Sequence, residues 1–335
     1  MKSFLKKFTI FLILVLLAVW LVSLVAPKSK NIQYGITFSA PYAQSLGLDW
    51  KQAYTSILND LQPKYIRLSA YWDKVEPEPD KFVFGSGNDN DLDFQVSEAS
   101  RRGTKIVLAV GRRLPRWPEC HDPSWIKDLP EEVLENDQLS YVEAVVKQYQ
   151  SNPQIIAWQV ENEPFLSTFG ICPPLNTKLL DSEIALVKKM DPSRPVIITD
   201  SGELSLWYHS GSRGDIFGTT FYRYVFSDVF KRYWTNHIPA IYYRFKGGLL
   251  RLLNPGKPIA IMELETEPWT TAGIPNTPIE EQFKTMSIGN FNTIVKIAKD
   301  TGYSPQYLWG VEWWYWMKQK DHPEFWQAAK ELFKQ

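Results

Sequence analysis

The stretch that decides the fold is Ile155-Ile156-Ala157-Trp158-Gln159-Val160, an apolar β-type run that stops abruptly at Glu161-Asn162-Glu163-Pro164. Proline cannot donate to a β-ladder, so strand pairing ends there. Runs of the same kind recur on either side, at 32–38, 65–69, 105–110, 196–199, 216–221, 259–262 and 307–312. Amphipathic helical stretches lie between them, at 50–61, 139–149, 178–190 and 279–299, and a last one at 323–333 follows the eighth run. Strand and helix in alternation imply a parallel sheet of class α/β. Eight such units in about 300 residues suit a closed (β/α)8 TIM barrel better than an open doubly wound sheet. No linker, low-complexity block or repeat divides residues 31–335, which are expected to be one domain. The longest irregular stretches, 72–91, 111–137 and 163–176, each follow a strand run. They therefore belong on the face where strands end and a barrel builds its site.

Upstream, Phe8 to Ala26 is a 19-residue stretch whose only polar members are Thr9 and Ser23, preceded by Lys2, Lys6 and Lys7. It is long enough to cross a hydrocarbon core of ~30 Å as a helix. The alternative is a cleaved signal peptide, but its apolar region usually runs about 7–15 residues and ends in small residues. Here Leu24 and Ala26 precede Pro27, a poor cleavage site. Residues 1–30 are accordingly expected to be a basic cytoplasmic stub, a transmembrane anchor and a short linker. The positive-inside rule then places the domain outside the cell membrane. In that compartment a Cys120–Cys172 disulfide is permissible, two buried thiols being the alternative.

Composition narrows the function further. Lys and Arg total 37, as do Asp and Glu, so no net field attracts nucleic acid or an anionic surface. The two cysteines lack CxxC spacing and the four histidines form no HExxH cluster, which disfavours a zinc site. Gly85-Ser86-Gly87 lacks a third glycine and a helix start, so no dinucleotide motif is present, nor is there a P-loop or a G-x-S-x-G. Nothing calls for a cofactor or a metal, and oligomeric state is not legible.

Carboxylates do stand out. The fourth run ends in Glu161 and Glu163, and the seventh continues from Ile259-Ala260-Ile261-Met262 into Glu263-Leu264-Glu265. In a barrel these two strands lie across the mouth from each other. Two carboxylates so placed are what glycoside cleavage requires: an acid to protonate the leaving oxygen, and an ionised group facing the anomeric carbon. With Lys257-Pro258 placed before Glu263, Asn162-Glu163-Pro164 resembles the clan A glycoside hydrolases, retaining barrel enzymes that include family 5 cellulases and mannanases and family 35 and 42 β-galactosidases. Ile66-Arg67-Leu68 followed by Trp72, the Glu76-Pro77-Glu78-Pro79 loop, Tyr222, and Trp314 four residues beyond Gly310 extend the resemblance over most of residues 31–320.

The resemblance implies hydrolysis of β-linked glycosides or polysaccharides, with Glu163 as acid/base, Glu263 as nucleophile and carboxyls about 5–5.5 Å apart. It further implies that Asn162 binds the sugar 2-OH, that Arg67 keeps Glu263 ionised, that Tyr222 orients it, and that Trp314 forms the sugar floor, with Trp72 nearby. Glu265 and Glu267 share a face with Glu263 in an extended strand, which makes Glu265 the rival nucleophile. Glu161 shares a face with Glu163 in the same way. In the second loop, Asp80 stands where related sequences commonly have glycine, and 85–91 is expected to be an insertion.

A barrel that binds or transglycosylates cell-surface carbohydrate is the alternative function. The 14 Trp, 16 Tyr and 18 Phe suit sugar stacking and core filling alike. Arg112, Arg113, Arg116 and His121 form a basic cluster that either contacts substrate or is solvated. The basic, aromatic segment 226–253 is expected to be a solvated helix with one buried face, with contact to the outer membrane surface as the alternative.

Overall fold

β-Branched and aliphatic runs bounded by Gly, Pro and Asn pair in chain order in the computed structural model, which describes residues 2–86, 89–227 and 231–334. Ten strands result: β1 (Tyr34–Thr37), β2 (Tyr65–Ser69), β3 (Lys105–Val110), β4 (Ile155–Val160), β5 (Val196–Asp200), β6 (Ile216–Phe221), β7 (Tyr224–Ser227), β8 (Arg232–Thr235), β9 (Ile259–Glu265) and β10 (Gln306–Trp309). Eight of them close a parallel barrel in the order β1-β10-β9-β6-β5-β4-β3-β2, while β7 and β8 form a separate antiparallel hairpin. The fold is thus the (β/α)8 barrel.

Alternation along each strand divides the apolar residues between two places. Ile106, Leu108 and Val110 of β3 join the large shell between strands and helices, whereas Val107 belongs with Ala157, Ile197, Ala260, Met262 and Tyr307 in a small cluster inside the barrel. Two residues further along the strands, the same inward positions become polar. Thr37, Arg67, Gln159 and Thr199 follow Gly35, Tyr65, Ala157 and Ile197 and form the layer under the mouth, all buried to within 1% exposure.

Three expectations shift. The eighth run ends at Trp309 and not at 312, because Gly310 adopts φ 123° and turns the chain into the helix Val311–Lys318. A side chain at Gly310 would also run into Glu267. The stretch 279–299 is two helices, Ile279–Thr285 and Ile288–Thr301, the second capped by the Ser287 hydroxyl accepting from Asn290 N at 3.2 Å. The segment 226–253 is not one helix: the β7–β8 hairpin precedes the helix Ala240–Leu253. Residues 228–230 of that segment, and Gly87 and Asn88 of the 85–91 insertion, lie outside the described residues.

At the N-terminus, Lys2–Val25 is one helix, and its Phe4–Val25 portion is long and apolar enough to cross a membrane.

Candidate active site

Glu263 reaches the barrel mouth through a break in strand regularity. On β6, Thr219 and Thr220 face Ile261 and Glu263 of β9, and on β10, Gln306 and Leu308 face Ile261 and Leu264. One extra residue on β9 is therefore bulged out, which reverses the inward and outward phase after Met262. Glu263 consequently turns inward, and its Oε1 accepts from Arg67 Nη2 at 3.0 Å while Oε2 accepts from Tyr222 Oη at 2.9 Å. Arg67 is fully buried and spends its other nitrogens on Thr37 Oγ1 (3.0 Å) and Gln159 Oε1 (3.2 Å), so the guanidinium is fixed by three strands. Burial, and then the Glu263 charge, hold the Tyr222 phenol well above its usual range, so it stays a donor.

Across the mouth, the end of β4 is bent by two left-handed residues, Glu161 (φ 57°) and Glu163 (φ 43°). Such backbone in a non-glycine residue persists only where its surroundings hold it. Here Glu161 N donates to Val110 O (2.9 Å), Asn162 N to Arg113 O (2.7 Å) and Glu163 N to Thr199 Oγ1 (2.8 Å). Asn162 Oδ1 accepts from Gln159 Nε2 (3.2 Å) and Thr199 Oγ1 (3.4 Å), which fixes the orientation of its amide. Glu163 is buried, and its Oε1 has no hydrogen-bond partner among the described residues. Burial raises its pKa well above the carboxylate range, and the charges of Glu263, Glu119 and Asp200 push it further, against a lowering by Arg113. Burial and like charge thus favour the neutral form of Glu163, across the mouth from the arginine-bound Glu263.

The neighbouring glutamates are engaged elsewhere. Glu161 turns out of the barrel, its oxygens accepting from Arg112 N (2.7 Å) and Arg113 N (2.6 Å), with Gln138 Nε2 bridging it to Glu183. Burial lifts it to about 7. A cavity of about 650 Å³ opens beside it, lined in part by Gln138, Glu183, Leu134 and Cys172. Glu265 accepts from the backbone of Arg223 (2.7 Å) and Tyr224 (3.1 Å) at the foot of the hairpin, and burial lifts it to about 8. Glu267 pairs with Arg116.

The basic cluster after β3 is neither solvated nor free. Arg112 pairs with Asp122 (2.5 Å) and Arg113 with Glu119 (2.5 Å). Arg113 also donates to Leu166 O and Phe169 O, and Cys120–Cys172 ties the same two loops by a disulfide. Arg116 crosses to Glu267 and Glu312 and stacks on Tyr42 (3.7 Å) and Trp309 (4.0 Å). His121 Nε2 lies 3.2 Å from Arg116 O, and burial drops its pKa to about 4.

Two aromatic expectations fall elsewhere. Trp314 is fully buried, donating to Thr266 O (2.8 Å) and packing on Phe291, because the chain turns to helix at Gly310 and carries position 314 into the layer behind the strands. Trp72 is likewise buried, donating to Glu76 (2.7 Å) and stacked on Tyr141. The rings beside the pair are Trp309, whose face lies 5.6 Å from the Arg67 guanidinium, and Trp269, edge-on to Tyr222 at 6.2 Å. Trp269 is one of 14 tryptophans, and no sequence pattern separates it from the others. Glu119 carried no sequence signal, since only the disulfide-tied loop brings it to the site. Among the described residues no three His, Cys, Asp or Glu side chains gather as a metal site would need.

The fold is a (β/α)8 barrel on which solved glycoside hydrolases superpose. An endo-β-1,4-xylanase of family 10 from Gloeophyllum trabeum superposes over 91% of this chain and 97% of its own, with TM-score 0.59 and 15% identity. A GH5_18 protein from Bifidobacterium longum, solved in complex with Manβ1-4GlcNAc, covers 83% of this chain and 68% of its own, with TM-score 0.58 and 10% identity. In sequence, the chain is 23% identical over 156 residues to mannan endo-1,4-beta-mannosidase F of Aspergillus fumigatus, a match covering 43% of this chain and 34% of that relative. The match therefore spans about a third of the relative's length. No family model matches the chain.

Proposed function

We propose that the chain is a retaining β-glycosidase, with Glu263 as nucleophile and Glu163 as general acid/base. One observation carries this: two buried glutamates at opposite strand ends have opposed electrostatic settings. Glu263 is bound by a guanidinium and a phenol, while Glu163 is held protonated by burial and by like charge. That is the division of roles that double displacement requires. Glu263 attacks the anomeric carbon as the bond to the leaving oxygen breaks and Glu163 supplies that oxygen with a proton. Glu163, now ionised, takes a proton from water. That water oxygen bonds to the anomeric carbon and expels Glu263. Asn162, its carbonyl fixed by Gln159 and Thr199, offers its amide N–H to the sugar 2-OH. Trp269, partly exposed beside Tyr222, supplies a face for sugar C–H groups. The steps need no cofactor. The relatives' names favour β-1,4-linked mannan as the substrate.

The Phe4–Val25 helix serves in this reading as a retained anchor, with the barrel on the outer side of the membrane. Ser23 and Ala26, at its end, are 3% and 4% exposed and packed into the domain, which suits a helix that stays attached. The disulfide suits an oxidising compartment.

The test is incubation of the detergent-solubilised full chain with 2-deoxy-2-fluoro β-glycosides of manno, gluco, galacto and xylo configuration, followed by peptide mass mapping. An adduct on Glu263 is expected with the manno compound. An adduct on Glu265 would move the nucleophile two residues along, and no adduct with any compound would sink the retaining mechanism.

A further inference from the structure

The helix Ala240–Leu253 is flanked closely on both sides, and two adjacent glycines permit it. A side chain on Gly247 would collide with the Tyr303 hydroxyl, and one on Gly248 with the Val22 carbonyl of the N-terminal helix. Arg244 fastens the second contact, donating to Ser23 O (2.8 Å) and Thr301 O (2.9 Å), and Ser29 N donates to Gly302 O (2.8 Å) just beyond. Val22 lies three residues before the end of the apolar span Phe4–Val25. At 1.5 Å per residue, Gly248 packs about 5 Å inside that end.

One face of the helix is left partly open among the described residues. At 100° per residue, Leu252, Leu249 and Leu253 stand about 40°, 100° and 140° round from Gly248, all on the same side, with Ile241 about 20° round. These four side chains are 55%, 41%, 64% and 42% exposed, so the open stripe starts at the contact with the apolar N-terminal helix and continues its surface. The loop after β5 adds Leu204 and Leu206, 63% and 88% exposed, and Lys246 Nζ holds that loop by donating to Gly202 O (2.8 Å) and Ser205 O (2.5 Å). The helix contains Arg244, Lys246 and Arg251 and no acidic residue. Arg244 and Lys246 are committed to backbone carbonyls, so the likeness to a helix lying in a bilayer interface rests on the apolar stripe and the lack of acid.

We infer that Ala240–Leu253 is a second membrane element, seating Leu249, Leu252 and Leu253 in the acyl-chain boundary of the outer leaflet and so holding one flank of the barrel against the bilayer. This rests on the N-terminal helix being a retained anchor. The occupant is lipid because the stripe is continuous with the surface of a helix that itself meets lipid.

The test uses the full chain reconstituted in phosphatidylcholine–phosphatidylglycerol vesicles, with the native disulfide oxidised and an NBD fluorophore on Leu253→Cys, Leu252→Cys or, as the control, Lys147→Cys on the exposed face of Glu131–Tyr149. Quenching by 5-doxyl phosphatidylcholine is expected to be about three-fold or more stronger at 253 and 252 than at 147, with blue-shifted emission. Retention of the chain in carbonate-washed membranes with water-like, iodide-quenched emission at 253 and 252 would overturn this inference alone. Release of the chain by carbonate would overturn the anchor and the inference together. Blue-shifted emission without doxyl quenching would assign the stripe to a second copy and overturn lipid contact.

Discussion

Glu119 provides a sharp test of how Glu163 is kept protonated. Its carboxylate sits beside Cys120 on the loop tied to β4, pairs with Arg113 at 2.5 Å, and ranks third among the causes that raise Glu163, after burial and the Glu263 charge. Glu119→Gln keeps an acceptor for Arg113 and removes the negative charge. It therefore deletes one raising contribution and leaves the lowering guanidinium uncompensated. A charge within about 4–6 Å shifts a carboxyl by about 1–3 units, and a third-ranked neighbour with a paired cation belongs at the lower end. The sign follows: cleavage needs protonated Glu163, so activity falls as pH rises through its pKa, and lowering that pKa moves the alkaline limb down. The expected outcome is a limb of kcat/KM on β-1,4-mannan displaced by about one unit to lower pH, with the plateau below it changed less than about three-fold. An alkaline limb that stays put or moves upward, in a variant with unchanged thermal unfolding, would refute the electrostatic account of Glu163.

Further outcomes follow from the same contacts. Glu163→Gln and Glu263→Gln should each lose about 10³-fold or more in kcat, while Glu265→Gln, whose group serves the hairpin backbone, should stay within about ten-fold; a dead Glu265→Gln beside an active Glu263→Gln would reverse the assignment. Tyr222→Phe removes one hydrogen bond to a charged group, about 1.5–3 kcal/mol, and should lower kcat by about 10- to 100-fold with the fold intact by circular dichroism. Cys120→Ser with Cys172→Ser opens a loop of 52 residues and should destabilise the barrel by about 2–4 kcal/mol, read from denaturant unfolding. Stability should also fall with rising pH. Glu161 and Glu312 titrate at about 7 and Glu265 at about 8 in the folded chain, all above the ordinary 4.5. The folded state binds protons that the unfolded state has lost, so the melting temperature should drop between pH 5 and 8. A rise across that window would contradict it.

The eight-strand barrel was legible because parallel strands buried on both faces must be apolar runs, and β2, β3, β4 and β6 coincide with theirs. The eighth overran because Val311 continues the apolar pattern, and only the φ of 123° at Gly310 shows where the strand stops. The same overrun explains Trp314, whose ring points where a helix and not a strand sends it.

By itself the sequence determined which carboxylates stand at strand ends and that an apolar helix precedes the barrel. Both depend on residue type and spacing along one chain. The tertiary structure alone decided which glutamate faces the mouth. Strict alternation from Ala260 and Met262 would point Leu264 inward and Glu263 out, and one bulged residue against β6 and β10 reverses that. Likewise Glu161 and Glu163 part company through left-handed turns held by backbone carbonyls on β3 and the loop after it and by the Thr199 hydroxyl on β5. A bulge and a positive φ are stabilised by hydrogen bonds from strands distant in sequence, so no local pattern announces them.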